Sequence, residues 1–421
     1  MIMRRIHLFA FVIGLWFMSC QGSEESLPEN TLQENLIPET FVSMELSQEE
    51  NEMKSIYTDF AFRYFQTSEQ NTSYNNQTVV SPVSISLVLS MLANGAKDAT
   101  EQEIIQTLGL ESMTLSEMND FNQRLVTELL AKDNTTTVEL ANSIWLNKGF
   151  TILDNYSNML EDYYDASIMN LNFAKSSALK EINKWCSKKT NGCIPQILEN
   201  LDKSHKCVLL NTLYFKGYWQ KPFNPKNTRK EMFFNEDASA TETSFMNLTA
   251  TFDFVETESF CLAELPYGNT AYSMVVILPI EDTNLNQCLM NLNGESWRKC
   301  MQKKQKKELN LKLPKFKVSY NENINEVLQT MGINKAFSKD ANFFNMTKEG
   351  IMINEARQAI SFSIDEQGTE AAASSAIVTG ASSSGSIEKE AINFYVNRPF
   401  LFVLKEKSTD MILFMCKVTN I

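Results

Sequence analysis

Apolar residues return every three or four positions in five stretches of the first half of the chain, at 49–65, 84–93, 101–107, 116–131 and 177–188. That spacing gathers them on one face of a helix and predicts amphipathic helices. Elsewhere the pattern changes to runs rich in β-branched and aromatic residues, at 137–146, 208–215, 272–278, 308–317, 359–364, 400–404 and 412–418, which predict strands. Helices dominate early and strands late, so the expected fold class is α+β rather than a regular alternation around a parallel sheet.

The N-terminus departs from this pattern. Arg4 and Arg5 precede an apolar stretch from Ile6 to Met18, and a small residue stands before Cys20. The stretch is short for a bilayer-spanning helix and reads as a secretory signal, residues 1–19. Phe17-Met18-Ser19-Cys20 is similar to a relaxed bacterial lipoprotein box, in which Cys20 is lipidated and becomes the new N-terminus. A soluble secreted protein cut nearby is the alternative. Residues 20–47, with Glu24, Glu25, Glu29, Glu34, Glu39 and Glu45, have the composition of a solvated acidic tether. From residue 48 to 421 there is no internal repeat and no linker until 371, which predicts one large domain.

The segment 371–387 reads AAASSAIVTGASSSGSI, seventeen positions without a charge, a proline or an aromatic ring. A low-complexity linker between domains would look the same. Only 34 residues follow it, however, too few for an independent domain, and they read as core strands. The segment is therefore a long loop inside one fold, and loops of that length are as a rule functional. Its composition suits a chain that must slide between two strands: no proline, no charge on the buried face, small side chains. With a period of two, Thr369, Ala371, Ala373, Ser375, Ile377 and Thr379 share one face, and Glu370 falls on the other.

Charge and composition remove several function classes. With 38 basic and 51 acidic residues the net charge is −13, which argues against nonspecific nucleic-acid binding. Of two histidines, His7 lies in the signal, so any Ser-His or Cys-His catalysis would have to use His205, which sits among charged neighbours as surface histidines do. No enzyme activity, metal or cofactor is expected. Without Cys20, seven irregularly spaced cysteines remain, with no C-x-x-C; they read as small buried hydrophobes with at most one or two bridges. The run from Arg298 to Lys307 holds six cations in ten residues, either an anion or polysaccharide site or a solvated helix end and turn. Sequons at Asn134, Asn247 and Asn345 would matter only in a eukaryotic secretory host.

The run Glu366-Gln367-Gly368-Thr369-Glu370-Ala371-Ala372-Ala373 resembles the hinge of the serpins, the serine protease inhibitor family. Ser81-Pro82-Val83-Ser84-Ile85 resembles the family's shutter motif, and the segment from Asn211 to Gly217 with Trp219 is similar to its Asn-x-x-x-Phe-Lys-Gly-x-Trp signature. Ala141-Asn142-Ser143-Ile144-Trp145, Leu265-Pro266-Tyr267, Leu313-Pro314-Lys315-Phe316 and Asn397-Arg398-Pro399-Phe400 follow in family order, so the likeness covers residues 48–421.

The resemblance implies three β-sheets with eight or nine helices, and a metastable native state whose exposed reactive-centre loop, 366–390, baits a protease. The target's nucleophile attacks the loop, an acyl-enzyme forms, and the cleaved loop enters the main sheet before water finishes the reaction. The family's usual spacing carries the reactive bond to Ser382 and Ser383. Because the loop is longer than in common members, Val378, Thr379, Gly380, Ala381, Ser384 and Ile387 are also candidates. Small side chains there fit an elastase-like serine protease, and Lys389 offers a more distant trypsin-like site. A papain-like cysteine protease is the alternative target, and a noninhibitory binding module the alternative role. Ser81, Ser84, Asn211 and Trp219 carry over as shutter and breach residues. Gln358 stands where many members have a histidine, so that network must be built differently. The resemblance further implies a monomer with no cofactor, whose partner is the protease; the lipid on Cys20 would place it at the cell envelope or surface, and without the lipid it would be extracellular.

Overall fold

The computed structural model describes residues 38–71, 77–130, 132–281, 283–369 and 390–421. The signal, Cys20, the tether up to residue 37, hinge positions Glu370 to Ala373 and every reactive-bond candidate lie outside the described residues. The helices are α1 (Gln48–Asn71), α2 (Pro82–Gly95), α3 (Asp98–Leu108), α4 (Leu115–Leu130), α5 (Asp154–Tyr164), α6 (Ser176–Lys189), α7 (Leu285–Met290), α8 (Gly294–Gln302) and α9 (Asn325–Thr330).

A six-stranded sheet has the order β10 (Phe316–Asn323), β11 (Ile353–Ile364), β12 (Gly368–Thr369), β4 (Cys207–Tyr218), β2 (Thr136–Asn147) and β3 (Ser167–Leu171). A nine-stranded sheet runs β1 (Thr78–Val80), β15 (Ile412–Val418), β14 (Phe400–Glu406), β8 (Tyr272–Pro279), β7 (Phe260–Pro266), β6 (Ala240–Glu256), β9 (Gln305–Pro314) and β13 (Ile392–Tyr395), with β5 (Arg229–Phe234) also on β6. The expected third sheet is the β5–β6–β9–β13 portion. It stays hydrogen-bonded to the rest because β6 pairs with β5 and β9 and then, at its C-terminal end, with β7.

The core lies between the two sheets and around α2. That helix is apolar on nearly all sides and almost every residue is buried, as an interior helix requires. Pro82 opens it, where a missing N–H costs nothing. Strands β8, β14 and β15 are buried at every position, so their sequences are continuous rather than alternating apolar runs.

All five expected helices form, with ends shifted by a few residues. The expected strand at 308–317 is two strands: β9 ends at Pro314, and after Lys315 the chain crosses to the other sheet as β10. Helix α5 was not legible because three tyrosines hide its stripe, in which Tyr156, Leu160 and Tyr164 are buried four residues apart. Residues 38–47, the end of the expected tether, are mostly exposed but touch the domain at a few points. Met44 is buried, Phe41 lies beneath the Lys407 ammonium at 4.9 Å, and the Glu45 carbonyl accepts from Arg124.

Candidate functional site

Strands β11 and β4 lie parallel and pair directly from Ile353 opposite Cys207 to Ser361 opposite Tyr214. Above Ser361 they part, and β12 fills the gap. Gly368 pairs with Tyr218, while Thr369 sits between Gly217 and Ile364, antiparallel to both neighbours. Only glycine fits at 368: φ is +154°, and a Cβ there would meet the Gly217 carbonyl oxygen at 1.9 Å. The lower end of this seam is tied. Asn354 Oδ1 accepts from the Lys206 and Cys207 amides at 2.6 and 3.3 Å, and Lys206 Nζ donates to the Gly350 carbonyl.

The hinge before Thr369 is gripped by its own turn and by the chain beyond β4. Asp365 Oδ1 accepts from the Gln367 and Gly368 amides. The Trp219 amide donates to the Gln367 carbonyl at 2.7 Å, its indole N–H to the Asp365 carbonyl at 2.9 Å, and the Phe223 amide to the Glu366 carbonyl. Glu366 takes Thr228 Oγ1 on one carboxylate oxygen and Lys315 Nζ on the other, each at 2.7 Å. Burial pushes the Glu366 carboxyl upward, but these two donors hold it below its ordinary value, so it is ionised near neutrality. Thr369 is 2% exposed and points beneath the sheet, where its hydroxyl shares a 2.8 Å hydrogen bond with the hydroxyl of Tyr267.

Further down the seam, Ser81, Ser84, Asn211 and Gln358 meet in one buried network. Gln358 Oε1 accepts from the Ser81 amide at 2.9 Å and from Tyr64 at 3.5 Å, while Nε2 donates to the Ser81 carbonyl and to Asn211 Oδ1. Asn211 in turn donates to Asn142 Oδ1 at 2.7 Å, and Ser81 Oγ to Ser84 Oγ. An amide with both a donor and an acceptor end does here what an imidazole would, and no member ionises near neutral pH. Trp219 belongs with the hinge rather than with this network. Tyr267, Asn142, Lys315 and Thr228 went unassigned in the sequence. The first three lie inside the family-like motifs, but their partners are remote in the chain.

The closed seam is incompletely satisfied. Thr212 Oγ1 on β4 and Ser361 Oγ on β11 are buried with no hydrogen-bond partner among the described residues. Such a group costs about 1–3 kcal/mol. Beside Thr369 lies a small apolar cavity lined by Phe215, Phe362, Phe402 and Phe414. Interiors normally close such space, so this void also forfeits contacts.

His205 stands at the lower end of the seam, 3.9 Å from Glu355, and neighbouring Ser204 bonds Asp202 instead. In the basic run, Arg298 pairs with Asp59, Lys299 with Glu295, Lys304 with Glu264 and Lys306 with Asp253. The run forms the end of α8 and the turn into β9, and most of its charge is matched. Burial pushes the Cys186 and Cys207 thiols up to about 12, so these two act as apolar filling. All three sequon side chains are engaged, Asn134 Oδ1 by the Glu39 amide, Asn247 with the Asn227 carbonyl and Asn345 with that of Ala96.

Residues 55–421 match the family model described as serpin, serine protease inhibitor. Iripin-3 of Ixodes ricinus is 30% identical over 349 residues, spanning 81% of this chain and 88% of that protein. Serpin B3 of Homo sapiens is 29% identical over 388 residues, spanning 86% and 98%. The crystal structure of a thermophilic serpin, tengpin, in the native state superposes with a TM-score of 0.82 at 26% identity, covering 92% of this chain and 98% of that one.

Proposed function

The chain belongs to the serpin family, and from that premise we propose that it is a suicide inhibitor that traps a protease by drawing its cleaved loop into the six-stranded sheet. The protease nucleophile adds to the carbonyl carbon of the reactive bond, the C–N bond breaks, and the amine leaves with a proton. The loop then remains esterified to the enzyme. Insertion of the loop competes with attack of water on that ester, and the inhibitor succeeds when insertion wins.

What carries this reading is β12. Its antiparallel pairing with both β4 and β11 is the register a longer inserted strand would continue. Each further residue replaces a direct parallel rung by two antiparallel ones, at a net gain of about 1 kcal/mol per hydrogen bond. The small residues on the inserting face, Thr369, Ala371, Ala373 and Ser375, favour inhibition over a noninhibitory binding role, since bulk or charge on that face would stop the strand. The side chains around Ser382 and Ser383 point to an elastase-like serine protease. Incubation with elastase-, chymotrypsin-, trypsin- and papain-like enzymes is expected to give a denaturation-resistant complex with the first, and a released peptide beginning within residues 379–388. A papain-like complex would reassign the target class. Ordinary cleavage with full recovery of activity in all four would overturn inhibition.

The protein is further proposed to be a bacterial lipoprotein, held at the cell envelope or surface by acyl chains on Cys20. Replacing Cys20 with Ala is expected to move it from the membrane to the soluble fraction of a bacterial host. A wild-type protein that is already wholly soluble and carries no lipid mass would remove the anchor.

A further inference from the structure

We infer that Tyr267 is a positioning residue of the hinge, its hydroxyl holding Thr369 in the first rung of the inserting strand so that insertion starts from a seated residue. The inference rests on the inhibitory reading and names the side chain that sets where insertion begins.

Tyr267 is fully buried, and among the described residues its hydroxyl and that of Thr369 have only each other. Its ring is packed on two sides and its backbone is tied. It stacks on Trp219 with centroids 4.3 Å apart, meets Phe215 edge-on at 5.1 Å, and its backbone forms a bridge with Trp219. The turn that carries it is pinned as well: Gly268 N–H donates to the Tyr218 carbonyl, and the Asn269 amide donates to Asp133 Oδ2 at 3.1 Å. A Cβ at Gly268 would lie 2.0 Å from that carboxylate, so the turn is built for close approach. The hydroxyl is thus held from β4, Trp219 and the Gly268 turn, none of which lies in the 365–369 segment that it seats.

Thr369 already occupies the register of the inserted strand, so this bond survives insertion and opposes only withdrawal. With Thr369 withdrawn, β4 and β11 are free to close above Ser361, and insertion must reopen them while water attacks the ester. The hydroxyl pair therefore biases the race without touching the protease.

Removing one hydroxyl strands the other in an apolar site, whereas removing both leaves nothing unpaired. Tyr267→Phe and Thr369→Val are each expected to raise the moles of inhibitor consumed per mole of protease silenced by about threefold or more. The double variant is expected to return close to the wild-type ratio, which a general packing defect would not do. Hydrogen exchange of the Thr369 amide in the full chain should follow the same order: faster in each single variant, restored in the double. Ratios unchanged in the single variants, or losses that multiply in the double, overturn the inference even while covalent trapping persists. If Tyr267→Phe fails to fold, Thr369→Val alone must show both effects. If the wild type traps no protease, inhibition itself fails, and exchange at Thr369 still decides whether Tyr267 holds the hinge.

Discussion

Thr369→Arg is expected to convert the inhibitor into a substrate. The side chain at 369 points under the sheet, against Tyr267 and beside the cavity lined by Phe215 and Phe362, with no carboxylate among those neighbours. An arginine must leave an unpaired charge there or keep the hinge out, and a buried unpaired ion costs several kcal/mol even after relaxation. Each 1.4 kcal/mol added to the insertion barrier slows that step about tenfold, while the first attack on the distant loop is unchanged. Deacylation should then overtake trapping, and the stoichiometry should rise by about tenfold or more. Glu370→Arg, on the opposite side of the alternation, is the control and should change it far less. Equal losses in both variants would refute the alternation, and an unchanged ratio for Thr369→Arg would mean that the target is not trapped by insertion.

The second large effect lies away from the hinge. Lys405 on β14 is 1% exposed and bonds Asp410 at 2.8 Å and Glu264 at 3.3 Å; Glu264 also takes Lys304 and the Ser273 hydroxyl, and Asp410 reaches Lys54. Burial alone would raise the Glu264 carboxyl, but Lys405 and Lys304 pull it down to about 2. Lys405→Met keeps the volume and leaves the buried Glu264 and the half-buried Asp410 short of a cation, which should cost about 3–5 kcal/mol and lower the urea midpoint of unfolding. The pH dependence supplies a second reading. A carboxyl held below its ordinary value contributes stability that is full above about pH 4.5 and lost as the pH falls toward 2. The gap between wild type and variant should therefore narrow over that range, because protonated Glu264 no longer needs Lys405. Parallel curves would show that the pair does not couple to folding.

Lys405 also marks where the sequence stops being legible. The apolar run at 400–404 predicts a strand that ends before the charge, yet β14 continues through Lys405 and Glu406, both buried. Glu406 is met locally by the Ser408 and Thr409 amides, but the presence of Lys405 in the core depends on Glu264, a partner that no local pattern encodes. The start of the expected hinge does form a strand, Gly368 and Thr369 between β4 and β11. Its anchors were not legible: Lys315 looked like a residue within one strand, and Tyr267 fell in no predicted element. In each case the signal lost is a contact with a residue about fifty or more positions away, which periodicity cannot carry.

The tied lower end of the seam gives its opening a direction. Because Asn354 clamps the Lys206 and Cys207 amides, the strands part from the hinge downward, like a zipper with one slider. Each residue that enters hauls whatever is bonded to the loop by about 3.4 Å, and at about 1 kcal/mol per step that corresponds to a pull of about 20 pN. Under the proposed inhibition the sheet is then a linear actuator, and the load on its end is an entire enzyme.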